Sequence, residues 1–377
     1  MVFEPWNGSL RDRLGMLRNN THRVAYFSPK PDSGSFRYRC YNTSQALNMY
    51  SRDVSASYFF SSDLDQLDDL SAFADTLVVF RTPYDTDVDR LITSFSRVGK
   101  KVFFDIDDLI FDVDFAPLVT SNLNYKMQGK HIDQWFSFIA NIGACLKLCD
   151  QVITTTSFLA ERVEHFSGLP VDTVPNFVNQ EQLNTSLEIV AEKPPRDSRD
   201  SLRIGYFSGS HSHAKDFAVA QSGIEAFLES SPQSTLTVLG HLELPSRLAS
   251  LKKRIIRKPF VNFLDLQRAI SEVDINLSPL QLSPFTFSKS ELKFFESALV
   301  GTITVASPTP VFTDVINHGV DGFISPASKW FETLRGLGAA NVEELDAIAA
   351  AAHTKAIKLY SARAMEPRLT ALFLGSK

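Results

Sequence analysis

Ser288-Lys-Ser-Glu-Leu-Lys-Phe-Phe-Glu296-Ser-Ala-Leu-Val-Gly301 reads as a loop entering a helix, and Thr302-Ile-Thr-Val-Ala306 behind it as a buried strand that runs out into Ser307-Pro-Thr-Pro310. The same alternation of helical stretches with short β-rich runs extends in both directions. Upstream stand Leu202-Arg-Ile-Gly-Tyr-Phe207, Leu236-Thr-Val-Leu239 and Val273-Asp-Ile-Asn-Leu277, and downstream Gly322-Phe-Ile324. Earlier in the chain lies a second set: Val24-Ala-Tyr-Phe, Val54 to Phe60, Leu77 to Phe80, Val102-Phe-Phe104 and Val152-Ile-Thr. Alternation of this kind predicts parallel sheets with helices on both faces. Between the two sets, residues 179–201 lose the pattern and turn polar, with Glu192-Lys-Pro-Pro-Arg-Asp-Ser-Arg-Asp200 carrying charge and two prolines, the signature of a linker. The expectation is an α/β chain of two tandem Rossmann-like domains, residues 1–178 and 202–355, joined by a linker over 179–201. From Trp330 the text is helical and Ala-rich, and residues 356–377 are expected to form a C-terminal helix able to pack back on the first domain.

At 377 residues, 44% hydrophobic and 21% charged, the chain has room for two cores. All of the formal charge of −5 falls in residues 1–178 while residues 179–377 balance, so neither half has the basic surface of a nucleic-acid platform. Cys40, Cys145 and Cys149 lack metal-ligand spacing, and the last two fall at i and i+4 of an apolar helix; buried thiols in a reducing compartment are expected. No stretch approaches the roughly 18 apolar residues of a membrane span and no apolar signal core opens the chain, so a cytoplasmic protein is expected. Leu10, Leu14 and Leu17 share one helical face with arginines beside it. That pattern fits either an amphipathic helix on the inner face of an anionic membrane or one docked on the protein's own surface.

In an open α/β sheet ligands bind beyond the carboxyl ends of the strands, so two such domains facing one another make one deep cleft lined by the loops after strands. Ser288, Lys289, Ser290, Glu291 and Leu292 form such a loop and the helix start behind it. Free backbone N–H groups there, with Lys289 and Lys293, offer a diphosphate site. Glu296, one to two turns further in, can accept hydrogen bonds from a ribose diol. A second loop, Gly209-Ser210-His211-Ser-His213-Ala-Lys215, follows the strand ending at Phe207. In the first domain the loop after the first strand contains Gly34, just ahead of a helical segment that carries Arg37 and Arg39.

These segments resemble glycosyltransferase family 4 and its relatives, retaining enzymes of the two-domain GT-B fold. The family's donor segment has a Glu, seven residues, a second Glu, then Ala-hydrophobic-x-Gly, a Pro-Val-Val-Ala-Ser strand and a downstream Asp-Gly pair. Glu296 stands in the place of the second Glu, followed by Ala298, Gly301, Val305-Ala-Ser307 and Asp321-Gly-Phe-Ile324; Ser288 occupies the place of the first. The family loop Gly-Arg-x-x-x-x-Lys, which holds the donor diphosphate, is matched at Gly209 and Lys215, with Ser210 in the Arg position. His211, His213 or backbone N–H groups would then replace a bidentate guanidinium contact. Val174-Pro-Asn-Phe-Val178 is similar to the Pro-Asn-Gly-Val of the family's interdomain crossing. The resemblance implies transfer of a sugar from a nucleotide-diphosphate sugar, a co-substrate rather than a cofactor, to a glycan or lipid-linked acceptor. It further implies retention, no need for a metal, and a place in bacterial surface polysaccharide synthesis.

Val102-Phe-Phe-Asp105-Ile-Asp107-Asp108-Leu-Ile-Phe-Asp112 is the densest carboxylate cluster, and it admits four readings. In a phosphatase of the haloacid-dehalogenase kind, Asp105 would attack phosphorus and Asp107 would act as acid and base beside Mg²⁺. That motif, however, opens the first strand of a chain and carries Thr where Leu109 stands. As the Asp-x-Asp site of a single-domain glycosyltransferase, the pair would hold a divalent metal against a diphosphate, for which the second half already has a site. Resemblance to a subset of family-4-like enzymes with Asp-hydrophobic-Asp-Asp implies that Asp105, Asp107 and Asp108 are catalytic, beside donor sugar and acceptor. Capping of the next helix is the fourth reading. The same subset carries a run similar to Ser35-Phe-Arg37-Tyr-Arg39 near the cleft, where an arginine would meet an acceptor phosphate or the leaving group. A non-catalytic nucleotide-sugar-binding protein is the alternative to a transferase, because Ser288 and Ser210 replace two family side chains.

Overall fold

The computed structural model describes residues 4–18, 20–32, 34–66, 69–122, 129–196, 201–209, 214–240, 242, 248 and 250–375. Two six-stranded sheets stand in tandem, and every strand pair in them is parallel. The first contains β1 (His22–Ser28), β2 (Val54–Phe60), β3 (Thr76–Phe80), β4 (Lys101–Ile106), β5 (Gln151–Thr154) and β6 (Val171–Thr173), in the order β2-β1-β3-β4-β5-β6. The second contains β7 (Arg203–Ser208), β8 (Thr235–Gly240), β9 (Ile255–Lys258), β10 (Ile275–Ser278), β11 (Ile303–Ala306) and β12 (Phe323–Ile324), in the order β12-β11-β10-β7-β8-β9. The winding reverses between β1 and β3 in the first sheet and between β7 and β10 in the second. At such switch points successive loops diverge and leave a crevice beyond the strand carboxyl ends.

The strands are mostly apolar because helices cover both faces: Val24 to Phe27 and Leu77 to Val79 are fully buried. Two strands escape the hydrophobic pattern, β6 and β9, and both are sheet edges. Ile255-Ile-Arg-Lys carries the charge expected of an edge that must not pair with another chain. Where the chain enters the cleft at β7, packing is tight. Gly240 ends β8 at φ 86°, and a Cβ there would lie 2.0 Å from the Ser208 carbonyl oxygen.

Three segments behave differently from their sequence appearance. Residues 180–192 are a helix rather than an extended linker, capped by Asn179, whose side chain accepts from the Gln182 N–H at 2.8 Å. Its polar side chains look like linker text, but Gln182 and Ser186 have no exposed surface: Gln182 bonds Arg37 of the first domain and Glu296 of the second, and Ser186 donates to the Gln182 carbonyl. The C-terminal region is helical without a break at residue 356. One helix runs Val342–Tyr360, and the turn at Ser361 starts a second, Ala362–Leu374, whose Phe373 packs edge-on against Tyr26 and Phe103 of the first sheet. Val178 N–H donates to the Tyr360 carbonyl at 2.9 Å, so the two interdomain crossings lie side by side.

The helix Leu10–Met16 docks on the protein itself. Arg13 pairs with both oxygens of Asp63 (2.5 and 2.7 Å) and donates to the Tyr58 carbonyl, while Leu17 is buried beneath. Leu10 and Leu14 of its apolar face pack, partly buried, against the first domain's core. No helix among the described residues is long and apolar enough to cross a membrane. Cys40, Cys145 and Cys149 are all buried and free.

Candidate active site

A cavity of about 410 Å³ lies between the sheets, lined from the second domain by Gly209, Asn276, Leu292, Lys293 and Glu296 and from the first by Asp32, Gly34, Arg37 and Tyr38. Phe207, Leu239, Val261, Leu266 and Ile270 form an apolar wall, and Phe260 stands half-exposed beside it. A flat apolar wall next to a few convergent polar groups is the usual make-up of a small-molecule site.

Lys293 and Glu296 sit one turn apart on the helix Leu292–Ala298. This helix has seven residues, so its dipole is short, and the positive charge at the site comes mainly from side chains. Lys293 Nζ lies 4.5 Å from the Tyr206 ring centroid, and no carboxylate pairs with it among the described residues. Burial lowers its pKa to about 8, against the opposing pull of Asp216 and Glu296. Asn276 supports it from below, donating to the Lys293 carbonyl at 2.9 Å and to Ser297 Oγ at 2.6 Å.

Glu296 is held by the first domain and by the helix between the domains. Tyr38 donates its hydroxyl to Glu296 Oε1, Gln182 donates at 3.3 Å, and Arg37 Nη2 lies 3.9 Å away. Arg37 also donates to Gln182 Oε1 at 2.7 Å and stacks over Tyr38 and Phe263. Burial, with the neighbouring carboxylate, pushes the Tyr38 hydroxyl far above its ordinary range and keeps it a donor. A single π-helical turn, Arg37–Tyr41, sends three successive side chains to three partners: Arg37 to Gln182, Tyr38 to Glu296 and Arg39 to Asp105. π-turns recur at functional sites for this reason.

The Asp-Ile-Asp-Asp segment divides. Asp105 ends β4 inside the domain, 1% exposed, in a bidentate pair with Arg39 at 2.8 and 3.1 Å. Arg39 goes on to the Val174 carbonyl (2.7 Å) and Asn176 Oδ1 (3.2 Å), tying β4 to the crossing. Burial raises the Asp105 carboxyl to about 6 even beside Arg39. Neither residue lines the cavity, and a carboxylate whose two oxygens are taken by a buried guanidinium has no path to phosphorus or metal. Asp105, expected among the catalytic carboxylates, and Arg39, expected at the cleft, thus meet each other in this buried pair. Asp107 and Asp108 lie beyond the strand and are partly exposed. Arg81 Nη1 donates to Asp107 Oδ1 at 3.1 Å and lies 3.4 Å from Asp108 Oδ2, and Lys289 of the second domain reaches Asp108 at 3.8 Å.

The other candidates scatter. Ser290 Oγ accepts from Asn176 at 3.0 Å, which joins the donor loop to the crossing. Ser288 is fully buried and donates back to the Pro284 carbonyl at 2.9 Å. Glu291 is also buried, against Tyr360 and away from the cavity lining; burial raises its carboxyl. Lys215 Nζ donates to the Ser121 carbonyl of the first domain at 2.5 Å. Ser210, His211 and His213 lie outside the described residues. No group of three His, Cys, Asp or Glu side chains among the described residues is placed to hold a metal ion. Sequence reasoning missed Tyr38, Arg81, Gln182 and Asn276. Of these only Arg81 carried a local signal, a charge set directly after a buried strand and ahead of Thr82-Pro83.

No protein-family model matches the chain, and no curated protein matches it in sequence. Solved structures do match it. HepE from Anabaena, in complex with UDP, aligns over 93% of this chain and 99% of its own at a TM-score of 0.58 and 11% identity. A glycosyltransferase from Rickettsia africae aligns over 95% and 100% at a TM-score of 0.59 and 11% identity. The chain also aligns over 79% of its length with TarM from S. aureus, at a TM-score of 0.51 and 13% identity, spanning 55% of that protein. The fold is GT-B. The cavity lies in the interdomain cleft, with the Lys293–Glu296 turn on the second domain and Asp32, Gly34, Arg37 and Tyr38 on the first.

Proposed function

We propose that this GT-B protein is a glycosyltransferase that moves a sugar from a nucleotide-diphosphate sugar to a hydroxyl of a glycan or lipid-linked acceptor, with retention and without a metal. The observation that carries this reading is the Lys293–Glu296 turn facing an apolar-walled cavity at the carboxyl ends of β7 and β10. A partly buried cation without a carboxylate ion pair suits a diphosphate, and a carboxylate one turn away suits a ribose diol. Two neighbours lend support through their bound ligands: HepE with UDP-glucose, and TarM with UDP and α-GlcNAc-glycerol. The family-4 resemblance of the donor segment adds retention and a role in surface polysaccharide synthesis.

In the reaction the bond between the anomeric carbon and the diphosphate breaks, an acceptor oxygen bonds to that carbon, and the acceptor proton goes to the leaving phosphate. Negative charge grows on the diphosphate, where Lys293 and Lys289 stabilise it in a site that is already organised. Positive charge grows on the sugar, and Asp107 and Asp108 are assigned here to stabilise it. For the ribose to reach Glu296, its hydroxyls take over the contacts that Tyr38 and Gln182 make.

A panel of nucleotide sugars that includes UDP-glucose tests the reading. At least one member raises the melting temperature, because a ligand that binds only the folded state stabilises it. The same member is turned over in EDTA. Stabilisation by none of them sinks the proposal; stabilisation without turnover favours a non-catalytic binder. Activity lost in EDTA and restored by Mn²⁺ requires a metal.

A further inference from the structure

Arg81 follows β3, the strand at which the first sheet reverses its winding, and the donor assignment makes no use of it. Its φ of 44° is left-handed, and every other described residue with positive φ is a glycine. Such a conformation costs on the order of 1–3 kcal/mol in a residue with a side chain and persists only where the surroundings hold it. What holds it is specific. The backbone N–H donates to the Asp105 carbonyl at 2.9 Å. The guanidinium donates to Ser35 Oγ at 3.0 Å and Asp107 Oδ1 at 3.1 Å, with Asp108 Oδ2 at 3.4 Å. Ser35 belongs to the loop after β1, and Asp107 and Asp108 to the loop after β4. One guanidinium therefore ties together the loops on either side of the switch point. Burial works against its charge, but the facing Asp107, Asp108 and Asp32 outweigh it and hold Arg81 protonated more firmly than usual.

We infer that Arg81 is a positioning residue for the transfer proposed above: it holds Asp107 and Asp108 side by side at the reacting end of the cleft, and the left-handed backbone aims it there. The inference rests on that functional reading. Two adjacent carboxylates repel, and the Arg81 Nη1 set between both offsets that repulsion and holds them together. Arg81→Gly separates strain from function, since glycine accepts φ 44° without cost.

Full-length wild type, Arg81→Gly and Arg81→Lys are compared on UDP-glucose, or on the panel member that wild type consumes. Arg81→Gly keeps or raises the melting temperature, keeps the donor KM within about twofold, and loses about a hundredfold in kcat, the scale of a small misplacement at the reacting centre. Methylguanidine restores part of that kcat, and Arg81→Lys falls between. A kcat in both variants within about threefold of wild type overturns the inference. So does a lowered melting temperature with the kcat of the folded fraction unchanged. If wild type consumes no nucleotide sugar, positioning for transfer falls together with transfer itself; if wild type is active and both variants are indifferent, only the role of Arg81 falls.

Discussion

Arg39 and Arg81 each bind a carboxylate of the same segment, at Asp105 and at Asp107 with Asp108, yet the two pairs occupy different worlds. The Arg39–Asp105 pair is 2% and 1% exposed and links the first domain's helix, strand and crossing to one another. The Arg81 group is partly exposed and reaches a residue of the other domain, Lys289. Carboxylates two residues apart are thus separated into scaffold and site by the end of β4, which leaves Asp105 inside the sheet and carries Asp107 beyond it. A buried pair whose partners share one domain builds the wall of the cleft. A partly solvated group shared between domains is free to respond to a ligand.

The largest effect is expected on breaking the scaffold pair. Arg39→Leu or Asp105→Leu alone strands a buried charge and lowers unfolding free energy by about 3–5 kcal/mol in urea titration, while the double variant loses much less than the sum. If either single change costs no more than an exposed substitution, the pair is not the anchor described. Next comes Glu296. Glu296→Ala weakens nucleotide-sugar binding by about 10- to 100-fold in calorimetry, the range for a hydrogen bond to a charged group. Tyr38→Phe moves the other way: it removes the group that occupies Glu296, so the ligand-free melting temperature falls while affinity for the donor is kept or improved. Loss of affinity in Tyr38→Phe would show that the hydroxyl belongs to the ligand site itself.

A smaller, pH-dependent effect belongs to Lys293. Its folded-state pKa of about 8 lies below the ordinary 10.5, so its charge disappears as pH rises through about 8, and affinity for a nucleoside diphosphate such as UDP declines over that step. Lys293→Arg keeps the affinity flat there. The stability sign is opposite, because the unfolded chain holds that proton between about 8 and 10.5 and the folded chain does not; stability contributed by this group rises with pH across the window. A UDP affinity that is level from pH 7 to 9.5 in the wild type would remove Lys293 from the diphosphate. The smallest effect is expected at Lys215, whose surface contact with Ser121 makes Lys215→Ala cost less than about 0.5 kcal/mol in stability. A loss of turnover beyond about tenfold in that variant would mean the amine swings onto the donor.

Much of the fold was written locally. Runs such as Leu77-Val-Val-Phe80 and Thr302-Ile-Thr-Val-Ala306 could be placed as strands because a strand covered on both faces needs apolar residues at every position. The helix carrying Lys293 and Glu296 was legible for a similar reason: its spacing is set within one turn. Residues 180–192 were not legible, since buried glutamine and serine look like solvent-facing text until their partners are known. The edge strands β6 and β9 were lost because they are only partly buried and so lack the apolar run that marks the edge strand β2.

The sequence alone determined the two wound sheets, the cleft they must create, and the helical turn that carries a cation and a carboxylate one step apart; each follows from periodicity over a few residues. Only the tertiary structure decided which carboxylate is buried in the scaffold and which is partly exposed, that Glu296 is held by Tyr38 from across the cleft and Gln182 beside it, and that Arg81 sits strained between two loops. Those assignments depend on residues separated by tens to hundreds of positions, and pairing at such distance is a property of packing that no local pattern encodes.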